Sequence, residues 1–139
     1  MSPELNMSSN NRWICSGVVA RNARTGAALA DRYGYAWQAE VGSSRPQLLV
    51  NATPVGMSGG PAADDLPVAP EVVDTAETVF DVVALPALTP LVRRARAQGK
   101  QVITGPEVIA LQALEQFVLY TGVRPTDDQV RRASEFSRA

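Results

Sequence analysis

A chain of 139 residues, 45% apolar and with a formal charge of −1, can bury one core and is the size of one domain. It has no histidine, which excludes Ser/His and Cys/His nucleophilic engines, histidine-bearing zinc sites and imidazole pH switches. The balanced charge gives no basic stripe for phosphate backbones, and no run approaches the roughly 20 apolar residues of a membrane span, so neither nucleic acid nor membrane is an expected partner.

Residues 1–13 are expected to form a flexible tail, because Met1 to Asn11 is polar, clustered in Ser and Asn, and lacks the apolar stretch of a signal peptide. The domain then occupies residues 14–139. Ile14 to Ala20, rich in β-branched residues, predicts a strand. The lone Cys15 has no internal disulfide partner, as befits a cytoplasmic protein, and reads first as a small buried hydrophobe rather than a reactive thiol. Arg24 to Tyr33 predicts a helix stopping at Gly34, and Tyr35 to Val41 a short edge strand. Gln47 to Asn51 is an apolar strand, and Gly59 to Pro70, dense in Gly, Pro and Asp, a loop. Thr78 to Val83 is a third clear strand. Pro90 to Gly99 is a helix with Arg93, Arg94 and Arg96 near its carboxy end, where cations suit the dipole. Gln101 to Ile103 is a short strand, Pro106 to Thr121 a long apolar helix closed by Gly122, and Thr126 to Ser137 a final helix whose Thr-Asp-Asp start is a sound cap. Alternation of helices with strands that are apolar on both faces predicts an α/β fold with a parallel sheet.

Ligands of such sheets bind beyond the carboxyl ends of the strands. After the first strand comes Ala20-Arg21-Asn22-Ala23-Arg24-Thr25, where an NAD-binding unit would carry an acidic residue for the ribose 2′-hydroxyl. Two arginines and no carboxylate suit a 2′-phosphate, which the guanidinium fork matches bidentately; a solvated loop accounts for them equally well. After the next strong strand, Asn51 and Thr53 offer polar side chains, Pro54 rigidifies the turn and Gly56 permits close backbone approach, although this is also how an ordinary strand-to-loop turn is built. Thr89 and Pro90 read as the cap and first position of a helix.

Asn51-Ala52-Thr53-Pro54-Val55-Gly56-Met57, then Asp81-Val82-Val83 with Pro86 and Thr89-Pro90-Leu91, then Gly105 with Gln112-Ala113, Gln116-Phe117 and Thr121-Gly122, occur in the order and spacing found in shikimate dehydrogenases. From about Gly17 to Gly122 the chain resembles the carboxy-terminal, cofactor-binding half of that family. The resemblance implies a Rossmann-like domain that binds NADP and works against a separate amino-terminal domain, with 3-dehydroshikimate reduced to shikimate in the cleft between them. It places Arg21 on the 2′-phosphate, with Asn22 and Arg24 or Thr25 as neighbours. It places Asn51, Ala52 and Thr53 along the adenosine and pyrophosphate, and Val83 and Gly105 beside the nicotinamide, with Val108 where the family usually has methionine. Gln112 falls on the helix glutamine whose amide reaches the bound substrate. Without the resemblance, Gln112 is a polar residue meeting a local hydrogen-bond need on an apolar helix.

The sequence departs from the family in three respects. The substrate domain is missing, and with it the family's catalytic lysine and aspartate; Lys100, the only lysine, does not match the catalytic position, so no catalytic residue is assigned. No G-x-G-x-x-G run is present, and Gly59-Gly60 precedes a loop rather than a helix, so NADP binding by this chain alone is expected to be weak or absent. Ala84 stands where the family commonly has tyrosine and Glu107 where it has glycine near the nicotinamide, as in a divergent member.

The expected fold class is therefore α/β, a Rossmann-like parallel sheet with flanking helices, lacking the first strand and glycine-rich loop. That strand belongs at the centre of the doubly wound order, so its absence leaves two apolar edges. Residues 1–15 or a second copy in a homo-oligomer are expected to cover them, and a separate substrate-domain chain is the other expected partner. Two functions follow: a shikimate dehydrogenase-like NADP-dependent oxidoreductase fragment that is inactive alone, or a non-catalytic protein-interaction module derived from that domain.

Overall fold

The computed structural model describes residues 17–42 and 44–136. The expected tail, Cys15 and the first three residues of the expected opening strand lie outside the described residues. The chain forms two compact units, Met1–Ser44 and Arg45–Ala139.

The first unit is a strand–helix–strand motif of β1 (Gly17–Val19), α1 (Ala23–Tyr33) and β2 (Ala36–Gln38). The two strands are parallel, in register from Gly17 opposite Ala36 to Val19 opposite Gln38, and Ala20 N–H extends the ladder to Gln38 C=O at 3.1 Å. Helix α1 buries Gly26 and Ala30, four residues apart and so on one face. It starts one residue before the sequence reading and ends as expected, with Gly34 N–H closing on the carbonyls of Ala30 and Asp31. The strand expected over 35–41 is shorter, because only Ala36–Gln38 finds a partner in β1.

The second unit contains β3 (Leu48–Asn51), α2 (Pro70–Thr75), β4 (Thr78–Asp81), α3 (Pro90–Ala97), β5 (Gln101–Thr104), α4 (Gly105–Thr121) and α5 (Asp127–Phe136). Its sheet is parallel throughout, in the order β3-β4-β5. Leu49 and Val79 from the sheet, Val72 and Val73 from α2, and Leu91, Val92 and Ala95 from α3 form the core. Helix α2 is absent from the sequence reading, since six residues are too few for a 3.6-residue period to show. Pro90 at the first position and the Thr89 hydroxyl, which accepts Val92 N–H at 3.1 Å, start α3 where the sequence places it. Strand β4 is two residues shorter than expected, ending at Asp81. Helix α5 opens on Thr126, whose N–H donates to Gln129 Oε1 at 2.9 Å.

The pairing inside each unit is that of strands two-three and four-five-six of a doubly wound sheet. Among the described residues β1 pairs only with β2, and β3 only with β4. Val19 on β1 and Val50 on β3 are nearly half exposed. Among the described residues no helix is long and apolar enough to cross a membrane, and no cluster of three His, Cys, Asp or Glu could hold a metal ion.

Two outcomes are expected. Leu91 is 1% exposed, so Leu91→Ala should cost about 3 kcal/mol of unfolding free energy by urea denaturation. Glu115 accepts both guanidinium N–H groups of Arg124 at 3.1 Å, and that hydrogen bonding, reinforced by the charge, holds its carboxyl below the usual glutamate value. The contribution is present above the unfolded-state pKa and is lost as pH falls through the folded one. Acid titration followed by circular dichroism should therefore show an acid-limb loss that Arg124→Gln diminishes.

Candidate functional site

The first unit has a candidate binding surface at the end of β1. Asn22 caps α1, its Oδ1 accepting Thr25 N–H at 3.1 Å and its carbonyl accepting Gly26 N–H at 2.8 Å. The Asn22 side chain and the Thr25 backbone are thus engaged in shaping the turn. Arg21 and Arg24 are exposed and make no ion pair among the described residues. The first turn of α1 carries no acidic residue. Two guanidinium groups at a helix start form a surface that attracts anions and repels cations.

The second unit has a candidate region of its own, built on Asp81, the last residue of β4, which has no exposed surface. Its Oδ1 accepts Asn51 Nδ2–H and Val83 N–H, each at 3.1 Å, and its Oδ2 accepts the Thr89 hydroxyl at 2.6 Å. Asn51, 3% exposed, spends the rest of its amide on its own turn. Its Nδ2 also donates to Val55 C=O at 3.2 Å, while its Oδ1 accepts Thr53 N–H at 3.0 Å and the Thr53 hydroxyl at 2.7 Å. The amide of Asn51 and the hydroxyl of Thr53 therefore shape the strand end from within, and Ala52 stands exposed at its surface. A Cβ on Gly56 would lie 3.2 Å from Thr89 Cβ, so this turn is fitted against the start of α3.

The structure brings Val83 and Gly105 together. A Cβ on Gly105 would sit 2.5 Å from Val83 O and 2.6 Å from Val82 O, so α4 begins in direct contact with the segment leaving β4. Val108 is half-buried one turn into α4, and Gln112, one turn further, is exposed with no side-chain hydrogen bond among the described residues. Nothing in the structure gives Gln112 a local partner. Glu107 has one: its Oε2 accepts Thr104 N–H at 2.7 Å and the Thr104 hydroxyl at 2.8 Å, a capping box that starts α4. Glu107 thus serves the helix start. Nothing in the structure explains Ala84.

Asp81 is quoted in the sequence motif but assigned no role there. Its signal is a carboxylate inside the apolar run Val79 to Val83, since acidic residues are buried only when paired.

No protein-family model matches the chain. Known proteins do match it. The shikimate dehydrogenase-like protein of Haemophilus influenzae is 46% identical over 121 residues, covering 87% of this chain and 45% of that protein. The chain is homologous to the carboxy-terminal half of shikimate dehydrogenase-like proteins. A solved shikimate 5-dehydrogenase-like protein superposes with a TM-score of 0.86 at 46% identity, over 88% of this chain and 46% of that one. The shikimate 5-dehydrogenase of Thermus thermophilus, solved in complex with NADP(H) and shikimate, gives 0.70 at 30% identity, over 86% and 44%. The chain thus spans less than half the length of the relatives it matches.

Replacing Asp81 by alanine would strand three donors from three segments, two of them side chains in the interior. Each unsatisfied buried group costs roughly 1–3 kcal/mol. Asp81→Ala should therefore destabilise the chain by at least about 3 kcal/mol in urea unfolding, and Thr89→Val, which removes one donor and the cap of α3, by roughly half as much.

Proposed function

We propose that this chain is the dinucleotide-binding half of an NADP-dependent, shikimate dehydrogenase-like oxidoreductase, and that it does not turn over substrate alone. The observation that carries the reading is the turn after β1, where Arg21 and Arg24 are exposed, paired with no acid among the described residues and set beside a helix start free of carboxylates. A ribose 2′-hydroxyl would call for an acidic residue there, whereas a 2′-phosphate calls for arginine.

In this reading Arg21 grips the 2′-phosphate and Arg24 adds charge, while Asn22 and Thr25 hold the turn in shape. The Asn51–Thr53 turn and Ala52 border the adenosine and pyrophosphate. Val83, Gly105 and Val108 form an apolar border for the nicotinamide, and the exposed Gln112 amide faces the substrate. The bound cofactor supplies or accepts the hydride; the substrate is a polyhydroxylated cyclohexene carboxylate. Proton transfer needs an acid–base pair that is not among these residues, so a substrate domain outside this sequence provides it. Without a glycine-rich loop the pyrophosphate lacks its usual N–H cradle, and affinity is low. A cytoplasmic setting fits the single cysteine.

A second reading, a non-catalytic interaction module, draws on α4, where Leu111, Leu119 and Tyr120 are 60%, 79% and 82% exposed. A helix apolar all round is normally covered.

Titration with NADPH and NADH, followed by thermal shift, separates the two. Saturable NADPH binding should weaken about 10- to 100-fold in Arg21→Ala, the size of a lost charge-assisted contact, with NADH unaffected. No NADPH binding up to millimolar concentration would reject the oxidoreductase reading and leave the interaction module.

A further inference from the structure

Trp37 sits on β2 opposite Val18 of β1. Its indole N–H donates to the carbonyl of Ala20 at 3.1 Å. Ala20 is the residue before Arg21, and its own N–H is held by Gln38 C=O at 3.1 Å, so the peptide groups flanking this residue are both fixed by β2. From the other side α1 closes down on the same ring. A Cβ on Gly26 would lie 2.6 Å from the indole Nε1, and 2.8 Å from both Trp37 Cδ1 and Ala20 Cβ. Only glycine fits at that contact.

The indole is therefore clamped between the end of β1 and the first turn of α1. The turn that carries Arg21, Asn22, Arg24 and Thr25 is pinned just before it by the Trp37 N–H and just after it by the contact at Gly26. An arginine side chain is rotamer-rich, and its fork discriminates a phosphate only when the backbone beneath it is already placed.

We infer that Trp37 is a positioning residue that sets the preference for a 2′-phosphorylated ligand, acting through Arg21. The inference rests on the NADP reading above. An apolar filler of β2 would serve as well with a phenyl ring as with an indole. A positioning role depends on the N–H.

The test uses the full chain and calorimetric titration of 2′,5′-ADP and 5′-AMP, well below the unfolding temperature. Trp37→Phe keeps a ring and deletes the donor. It should weaken 2′,5′-ADP about tenfold, the scale of one lost hydrogen bond, and leave 5′-AMP within about twofold. Trp37→Phe combined with Arg21→Ala should lose little more than Arg21→Ala alone, since the two act as one unit. A second measurement needs no folded variant at this position: in the unsubstituted chain the Trp37 indole N–H resonance, assigned with Trp13→Phe, should move with 2′,5′-ADP and stay with 5′-AMP.

Equal weakening of both ligands, no weakening of either, or an indole resonance unmoved at saturating 2′,5′-ADP would overturn the role of Trp37 while leaving the NADP reading in place. Failure of the unsubstituted chain to bind 2′,5′-ADP at all would remove both together.

Discussion

Asp81 accepts hydrogen bonds from the Asn51 amide, the Val83 N–H and the Thr89 hydroxyl, and each donor belongs to a different segment of the second unit. Asn51 ends β3, Val83 lies in the loop beyond β4, and Thr89 caps α3. A carboxylate without exposed surface tolerates its position only if its acceptor sites are filled, so the three segments are fixed together or not at all. Among the described residues no buried side-chain nitrogen or oxygen lacks a partner. A fully satisfied polar network of this kind specifies one arrangement where apolar packing alone would admit several.

Within each unit, hydrogen bonding separates the side chains that shape their own turns from those left exposed. Asn51, Thr53 and Asn22 resemble ligand-contacting residues in sequence, yet each spends side-chain hydrogen bonds on its own turn, Asn51 from a buried position and the other two at the surface. Arg21, Arg24, Ala52 and Gln112 remain outward. Of the exposed groups that the proposed function uses, two stand on backbone fixed from beneath: Arg21 by Trp37 and the cap of α1, Ala52 by Asn51 and Asp81. The division follows from energetics. A buried amide or hydroxyl cannot wait for a ligand without a partner, whereas an exposed guanidinium is solvated until the ligand arrives.

Much of the fold was legible in the chain. Strands with apolar residues on both faces, glycines at the ends of α1 and α4, and Thr89-Pro90 at the start of α3 each report a local rule, and the elements lie within a few residues of where those rules place them. Helix α2 was not legible, being under two turns long and started by a proline that reads equally well as the end of a loop. The bounds of β2 and β4 were misjudged because a strand ends where its partner ends, and the partner is remote in sequence. The part played by Glu107 became intelligible only once it stood three residues after Thr104 at the start of α4.

The sequence by itself determined the alternation of strands and helices, the family resemblance and the exclusion of histidine chemistry, because these depend on residue identity and spacing along the chain. It also placed two arginines and no acid after β1. Tertiary structure alone decided that Asp81 anchors the second unit and that Trp37 reaches the carbonyl before Arg21. These contacts join residues 30 and 17 positions apart. Hydrogen-bond partnership at that separation is set by strand pairing and packing, and leaves no local pattern in the chain.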